Sequence, residues 1–324
     1  MSELKNKNNV CPVMKTSIGG QAVIEGVMMK GPYKTALAVR NEQTKEITVE
    51  TVSETKKKSK IAKIPFVRGS FIFISSMITG TKTIMRSAEL CGIEEENEEP
   101  SKFEKWFSKK TGISVLDVAL TISLILGLLL SVFLFIFAPT YIAAGINWLA
   151  VGILNKSIIS VIEGLLKITI LITYMLLVSQ TKSIKRVFEY HGAEHKTIFC
   201  YEAGLPLTVE NVKAQKRAHP RCGTSFLIIV MLISMAIFML PIFPVGNVFL
   251  RFLCKLAFLP IVSGISYELI KLAGKYDNLF TRIISAPGKA LQRITTREPD
   301  ESQIEVAIRS MEAVIPENQE DAKW

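Results

Sequence analysis

No charged residue stands between Asp117 and Lys156. A hydrocarbon core about 30 Å thick is crossed by roughly 20 helical residues, so this stretch is far longer than one crossing needs and too apolar for a soluble core helix. The remainder is different in kind. The 324 residues are 49% hydrophobic yet include 39 Lys and Arg, so apolar and charged residues must be segregated along the chain. That is the composition of a membrane protein with sizeable aqueous parts.

Four segments read as transmembrane helices. The first, about Val118 to Ala138, has Asp117 at its entry and Pro139 at its close. The second, about Ser157 to Gln180, carries Glu163 and Lys167 four residues apart, where they can neutralise one another on one helix face. The third, Ser225 to Phe243, has no charge. The fourth, about Phe252 to Leu272, carries Lys255 and Glu268 and is interrupted by Pro260 and Gly264.

Lys and Arg are retained on the cytoplasmic side of a membrane. The short connections around Tyr141 to Lys156 and Pro244 to Arg251 hold one each, whereas the other connecting segments are rich in them. Both termini and the central loop are therefore expected in the cytoplasm of a multi-pass protein of the inner membrane. No early apolar region precedes the first span, so no cleaved signal peptide is expected. Four of the five cysteines, Cys11, Cys91, Cys200, Cys222 and Cys254, fall in segments assigned to that reducing compartment, which argues against a disulfide framework.

The expected fold is thus an α-helical polytopic membrane protein of about four transmembrane helices with a small α+β cytoplasmic N-terminal domain. Its parts are an N-terminal domain over 1–112, spans one and two over 113–180, a cytoplasmic loop over 181–224, spans three and four over 225–272, and a cytoplasmic tail over 273–324. In the first part, Gly19 to Met29 has glycines around an apolar run, which suggests a strand or close backbone packing. Thr35 to Arg40 and Glu46 to Val52 read as a hairpin. Lys56 to Lys60 is a basic cluster suited to a solvated loop or anionic lipid, and Gly69 to Thr81 is an interfacial or re-entrant helix by its length. Glu94 to Pro100 is an acidic linker, and Ser101 to Lys110 an amphipathic segment. Ile304, Ala307, Ile308 and Met311 have helical spacing in a surface helix over Asp300 to Ala313.

The chain has three histidines, and all lie between His191 and His219. His191 and His195 are four apart, so on a helix both rings leave the same face one turn apart, as two ligands of one ion require. With Glu194 they form H-x-x-E-H, the order found in inverzincins, in which the glutamate is a general base towards water. A third ligand is needed. Cys222 in His219-Pro220-Arg221-Cys222 is the first choice and His219 the second, and Arg221 beside the thiol would favour the thiolate. Glu268 is a further candidate, as a ligand, as a partner to a histidine N–H, or as counter-ion to Lys271. A divalent metal, zinc first, would activate water and polarise the group under attack, with Glu194 taking the proton. A closed structural zinc on His191, His195, His219 and Cys222, or metal-free chemistry on Cys222, fits the same residues.

Gly19 to Met29, Tyr190 to Thr197, His219 to Ser225, Gly264 to Glu268 and Thr295 to Pro299 together resemble the YqhQ-like family of bacterial membrane proteins, a domain of unknown function described as a predicted metal-dependent enzyme. The resemblance covers nearly the whole chain. It implies that Gln21 and Glu25 belong to the same unit as the histidines, with Glu25 as a ligand, a supporting carboxylate, or part of a tight structural turn.

Three functions follow as expectations. The first is a cytoplasm-facing, membrane-bound hydrolase acting on a lipid-linked or polypeptide substrate. The second is a membrane scaffold or assembly factor with a structural metal. The third is an oligomeric transporter, motivated by Glu163, Lys167, Lys255 and the broken fourth span. Membrane lipids are the expected surroundings, and no nucleic-acid partner is expected.

Overall fold

The structure, a computed structural model, describes residues 14–54, 64–92, 115–240, 242–244 and 247–323. The basic cluster Lys56 to Lys60, the acidic run Glu94 to Pro100 and the segment Ser101 to Lys110 lie outside the described residues. The chain divides into two compact units. One is built within Met1–Gly92, Tyr174–Ile233 and Leu259–Trp324, the other within Ile93–Thr173 and Ser234–Phe258.

The first unit centres on an antiparallel sheet in chain order: β1 (Gly19–Val23), β2 (Gly26–Lys30), β3 (Lys34–Arg40) and β4 (Ile47–Glu54). The expected β3–β4 hairpin is present, and the glycine-bounded run folds as a second hairpin that pairs Val23 with Gly26. Strand alternation sends Val27, Met29, Ala36 and Ala38 to one face, and Met28, Leu37 and Val39 to the other. Both faces are covered, which is why β2 and β3 read as continuous apolar runs.

The first face packs on α5 (Lys182–Glu202) and α10 (Glu301–Glu312), through Tyr190, Ala193, Ile198, Ile304, Ala307 and Met311. The anticipated C-terminal helix is α10. It starts at an Asp300–Gln303 capping box and is part of the core. On the other face, Cys91 joins the cluster at the end of α1 (Val67–Leu90). The remaining elements are α2 (Val115–Val132), a π-helical turn (Phe133–Phe137), α3 (Ala138–Leu149), α4 (Lys156–Val178), α6 (Val209–Lys213), α7 (Gly223–Phe238), α8 (Val248–Lys275), α9 (Leu279–Thr295) and a 3₁₀ turn (Gln319–Ala322).

Among the described residues three helices are long and apolar enough to cross a membrane: Ile125–Leu149, Lys156–Val178 and Val248–Lys275. The third expected span corresponds to α7, a shorter apolar helix of 16 residues that ends at Phe238, ahead of Pro241 and Pro244 in the sequence. Pro139 does not close the first span. The π-helical turn precedes it, and such local adjustments re-satisfy the carbonyl that proline leaves without a donor. Nor do Pro260 and Gly264 interrupt α8. Ser70 Oγ donates to the Pro260 carbonyl at 2.9 Å, and Gly264 is where the backbone of Phe66 passes too close for any side chain.

In the second unit, Glu163 of α4 is buried against three cations. Arg251 Nε lies 2.8 Å from Oε2, Lys167 Nζ 3.2 Å from Oε1, and Lys255 also bonds Oε1. Thr140 donates to the same carboxylate at 2.8 Å, and the rest of the Arg251 fork reaches Ser160 Oγ and the Pro244 carbonyl at 3.0 Å each. The Glu163–Lys167 pair of the sequence is thus one edge of a larger network.

Candidate metal centre

Helix α5 begins where α4 ends and buries nearly all of Tyr190 to Ile198. The ring centroids of His191 and His195 are 4.4 Å apart. His191 Nδ1–H donates to the Thr295 carbonyl at 2.8 Å, and His195 Nδ1–H to the Arg217 carbonyl. A carbonyl can only accept, so Nδ1 carries the proton and Nε2 presents its lone pair in the neutral ring. Cys222 lies beside both rings. His191 Nε2 is 3.1 Å from Sγ, and the three ligating atoms lie within 4.8 Å of one another. His195 Nε2 is buried and, among the described residues, has no hydrogen-bond partner.

Cys222 sits just before α7, with Thr224 N–H and Oγ1 3.5 and 3.2 Å from its sulfur. Burial alone would raise its pKa, but His191 and His195 outweigh burial and hold it well below the ordinary thiol value. Conversely, burial would lower His191, but the Cys222 thiolate lifts it to about 9. Once His191 gives up its Nε2 proton, the donors on offer are two borderline nitrogens and one soft thiolate, chemistry that suits zinc. The unpartnered Nε2 of His195 fits an ion held among these atoms.

Glu194 is buried beside the histidines, and that burial raises its pKa against the opposing influence of both rings. A backbone hydrogen bond from Gly20 acts on it. A Cβ at Gly20 would lie 2.9 Å from Glu194 Cγ and 2.7 Å from the Met28 carbonyl, so only glycine lets β1 come this close. The glycine-rich segment approaches the site at Gly20, and Gln21 packs instead against Gly80 of α1.

Glu25 lies elsewhere. Its carboxylate takes both ends of the Arg186 fork and the Tyr190 hydroxyl at 3.2 Å, which locks a turn where Glu25 itself has φ 47°. Glu268 is likewise absent from the cluster. It pairs with Arg68, whose Nε is 2.6 Å away, and accepts from Phe66 N–H, so it ties α1 to α8.

His219 is buried with its Nε2 3.8 Å from Glu202 Oε2, and its ring centroid is 5.6 Å from that of His195. Burial carries it down to about 4, so it is neutral at physiological pH. Arg221 bonds Glu202 and His219, and the two histidines rather than Arg221 lead in holding Cys222 ionised.

Several residues that position the site gave no recognisable signal in the sequence. Gln292 of α9 accepts from His219 N–H and donates to its carbonyl, each at 2.8 Å, and so fixes the strand of chain that carries Cys222. A Cβ on Gly192 would stand 2.0 Å from the Arg297 carbonyl, so Thr295 to Pro299 crosses α5 directly over this glycine. Buried Lys196 then holds that segment through Glu298.

A family described as "Protein of unknown function (DUF1385)" matches residues 64–317. The chain belongs to this family. It is also 37% identical over 309 residues to the "Uncharacterized protein YqhQ" of Bacillus subtilis strain 168, covering 93% of this chain and 95% of that protein. The resemblance carried by the histidine, cysteine and glycine motifs is therefore one of true family membership. No solved structure matches the chain.

Proposed function

We propose that this protein is a membrane-bound, cytoplasm-facing metal-dependent hydrolase with its ion held by His191, His195 and Cys222. The observation that carries the reading is the aim of the ligands: backbone carbonyls fix each Nδ1–H, and a buried His195 Nε2 is left without a partner beside a thiolate. A zinc ion there would supply Lewis acidity towards water and a carbonyl or phosphoryl group. Glu194 is the base, because burial brings a carboxylate towards the pKa that proton transfer near neutrality needs. Both termini face the cytoplasm of the inner membrane by the distribution of Lys and Arg, and the substrate is a lipid-linked molecule or a polypeptide segment reaching the site from the membrane.

Elemental analysis of the detergent-purified protein tests the first step. About one zinc per chain, lost in His195→Ala and Cys222→Ser, is the expected result, and a wild type that neither contains nor takes up metal overturns it. Glu194→Gln is expected to keep the metal and lose turnover on any hydrolysed substrate.

The depth of the site favours a second reading. Glu194, His195 and Cys222 are all buried, as in a closed structural metal site, and the protein would then be a scaffold or assembly factor. Glu194→Gln separates the two, since it would be silent in a scaffold whereas loss of a ligand would lower abundance.

A further inference from the structure

Helix α9 is built inside out. Its buried stripe is Thr281, Ser285, Gly288, Gln292 and Thr295 with Leu291 beside it, which is small and polar at helical spacing. Its outer face shows Leu279, Phe280 and Ile283, which are 75%, 60% and 62% exposed. A helix in water would reverse this arrangement, because each exposed apolar side chain forfeits its burial. The inversion recurs on α1, which buries Gly69, Gly80, Thr83 and Ser87 and exposes Phe71, Ile74, Met77, Ile78 and Met85. Both helices pack on the start of α7, α1 through Phe73 against Phe226 and α9 through Gly288 against Ser225.

We infer that the outer face of α9 lies in the lipid bilayer, at its interface, together with that of α1. Continuity favours lipid as the occupant, because only Tyr276 to Asn278 separate α9 from the membrane-length helix α8. Charge favours it as well. Lys275 precedes α9, and Lys289 and Arg293 lie along it, cations suited to headgroup phosphates that also keep the helix from crossing, while Arg282 forks onto Asp277. Residues assigned to a cytoplasmic tail by charge alone thus include a helix bedded in the membrane surface. The same helix carries Thr295, whose carbonyl orients His191, and Gln292, which clamps His219. The His–Cys cluster is thereby mounted at headgroup level, whether or not it holds metal.

The test uses the full-length protein in vesicles of phosphatidylcholine and phosphatidylglycerol doped with a phospholipid bearing a diazirine in its acyl chain. After illumination, carbene adducts are mapped by peptide mass spectrometry, with the Ile125–Leu149 helix as the lipid-exposed reference and the exposed strand β4 as the aqueous one. Adducts on 279–283 several-fold above those on β4 are expected. A yield on 279–283 no higher than on β4 overturns the inference, as does protection of 279–283 from lipid accompanied by cross-links to a second copy of the chain.

Discussion

Each unit of the molecule buries a cluster of ionisable side chains, and the two clusters are finished differently. Around Glu163 every partner is spoken for: Arg251 gives three hydrogen bonds, Lys255 two, and the carboxylate collects cations on both oxygens. Around Cys222 one ring nitrogen is left over, although its ring is fixed from behind. Buried polar groups in native proteins are nearly always satisfied. A saturated network therefore reads as structure, and an oriented ring nitrogen with no partner among the described residues reads as a place for something to bind.

The contrast is broken most severely at Glu163. Glu163→Gln would leave Arg251, Lys255 and Lys167 without their carboxylate, and breaking a buried pair in this way costs about 3–5 kcal/mol. A large fall in thermal stability or in folded yield is expected, and a stable variant would mean that the network is not structural. Cys222→Ser should do the opposite. The apo protein keeps its fold, but the stabilisation gained on adding zinc, about 2.7 kcal/mol at a hundredfold excess over Kd, disappears from its thermal denaturation profile. Persistence of that gain would place the metal elsewhere.

Gly192→Ala probes the support behind the histidines. The added methyl group meets the Arg297 carbonyl, so overpacking of about 1–3 kcal/mol is expected, together with weaker metal retention as Thr295 shifts away from His191. Full metal content at reduced stability would separate the two roles. The smallest effect is one of pH. His219 is held at about 4 against an ordinary 6.5, so the unfolded chain binds its proton first. Stability is then complete above about pH 6.5 and declines as pH falls towards 4. His219→Asn should flatten the upper part of this decline, before Glu202 protonates, and an unchanged slope would show that another group titrates there.

The sequence makes the His–His–Cys cluster legible and its supports illegible. H-x-x-E-H and a nearby cysteine are visible because groups able to hold a metal come from few residue types at spacings set by helix geometry, as at His191 and His195. Thr295 and Arg217 act through backbone carbonyls, which every residue possesses, so nothing in the code marks them. The carboxylates mislead for a related reason. Glu25 and Glu268 look like ligands by type, but Arg186 and Arg68 lie 161 and 200 residues away from them, and no local pattern announces a partner at such distance. Among the helices, the long apolar runs of α4 and α8 are plain, whereas the ends of the first span and of α7 were misplaced. There proline is either absorbed by a π-helical turn or follows a helix that has already stopped.

The close approach of Gly20 to Glu194 has a consequence for biosynthesis. The site draws on β1 near the start of the described chain, on α5 and Cys222 in its middle, and on Thr295 close to the end of α9. A nascent chain that has emerged through Cys222 already owns the three side chains of the His–Cys cluster, but His191 still has no carbonyl behind it. The arrangement is therefore completed only after the membrane-length helices have been made, and a chain that stops before Thr295 would carry His191, His195 and Cys222 without the carbonyl that orients His191.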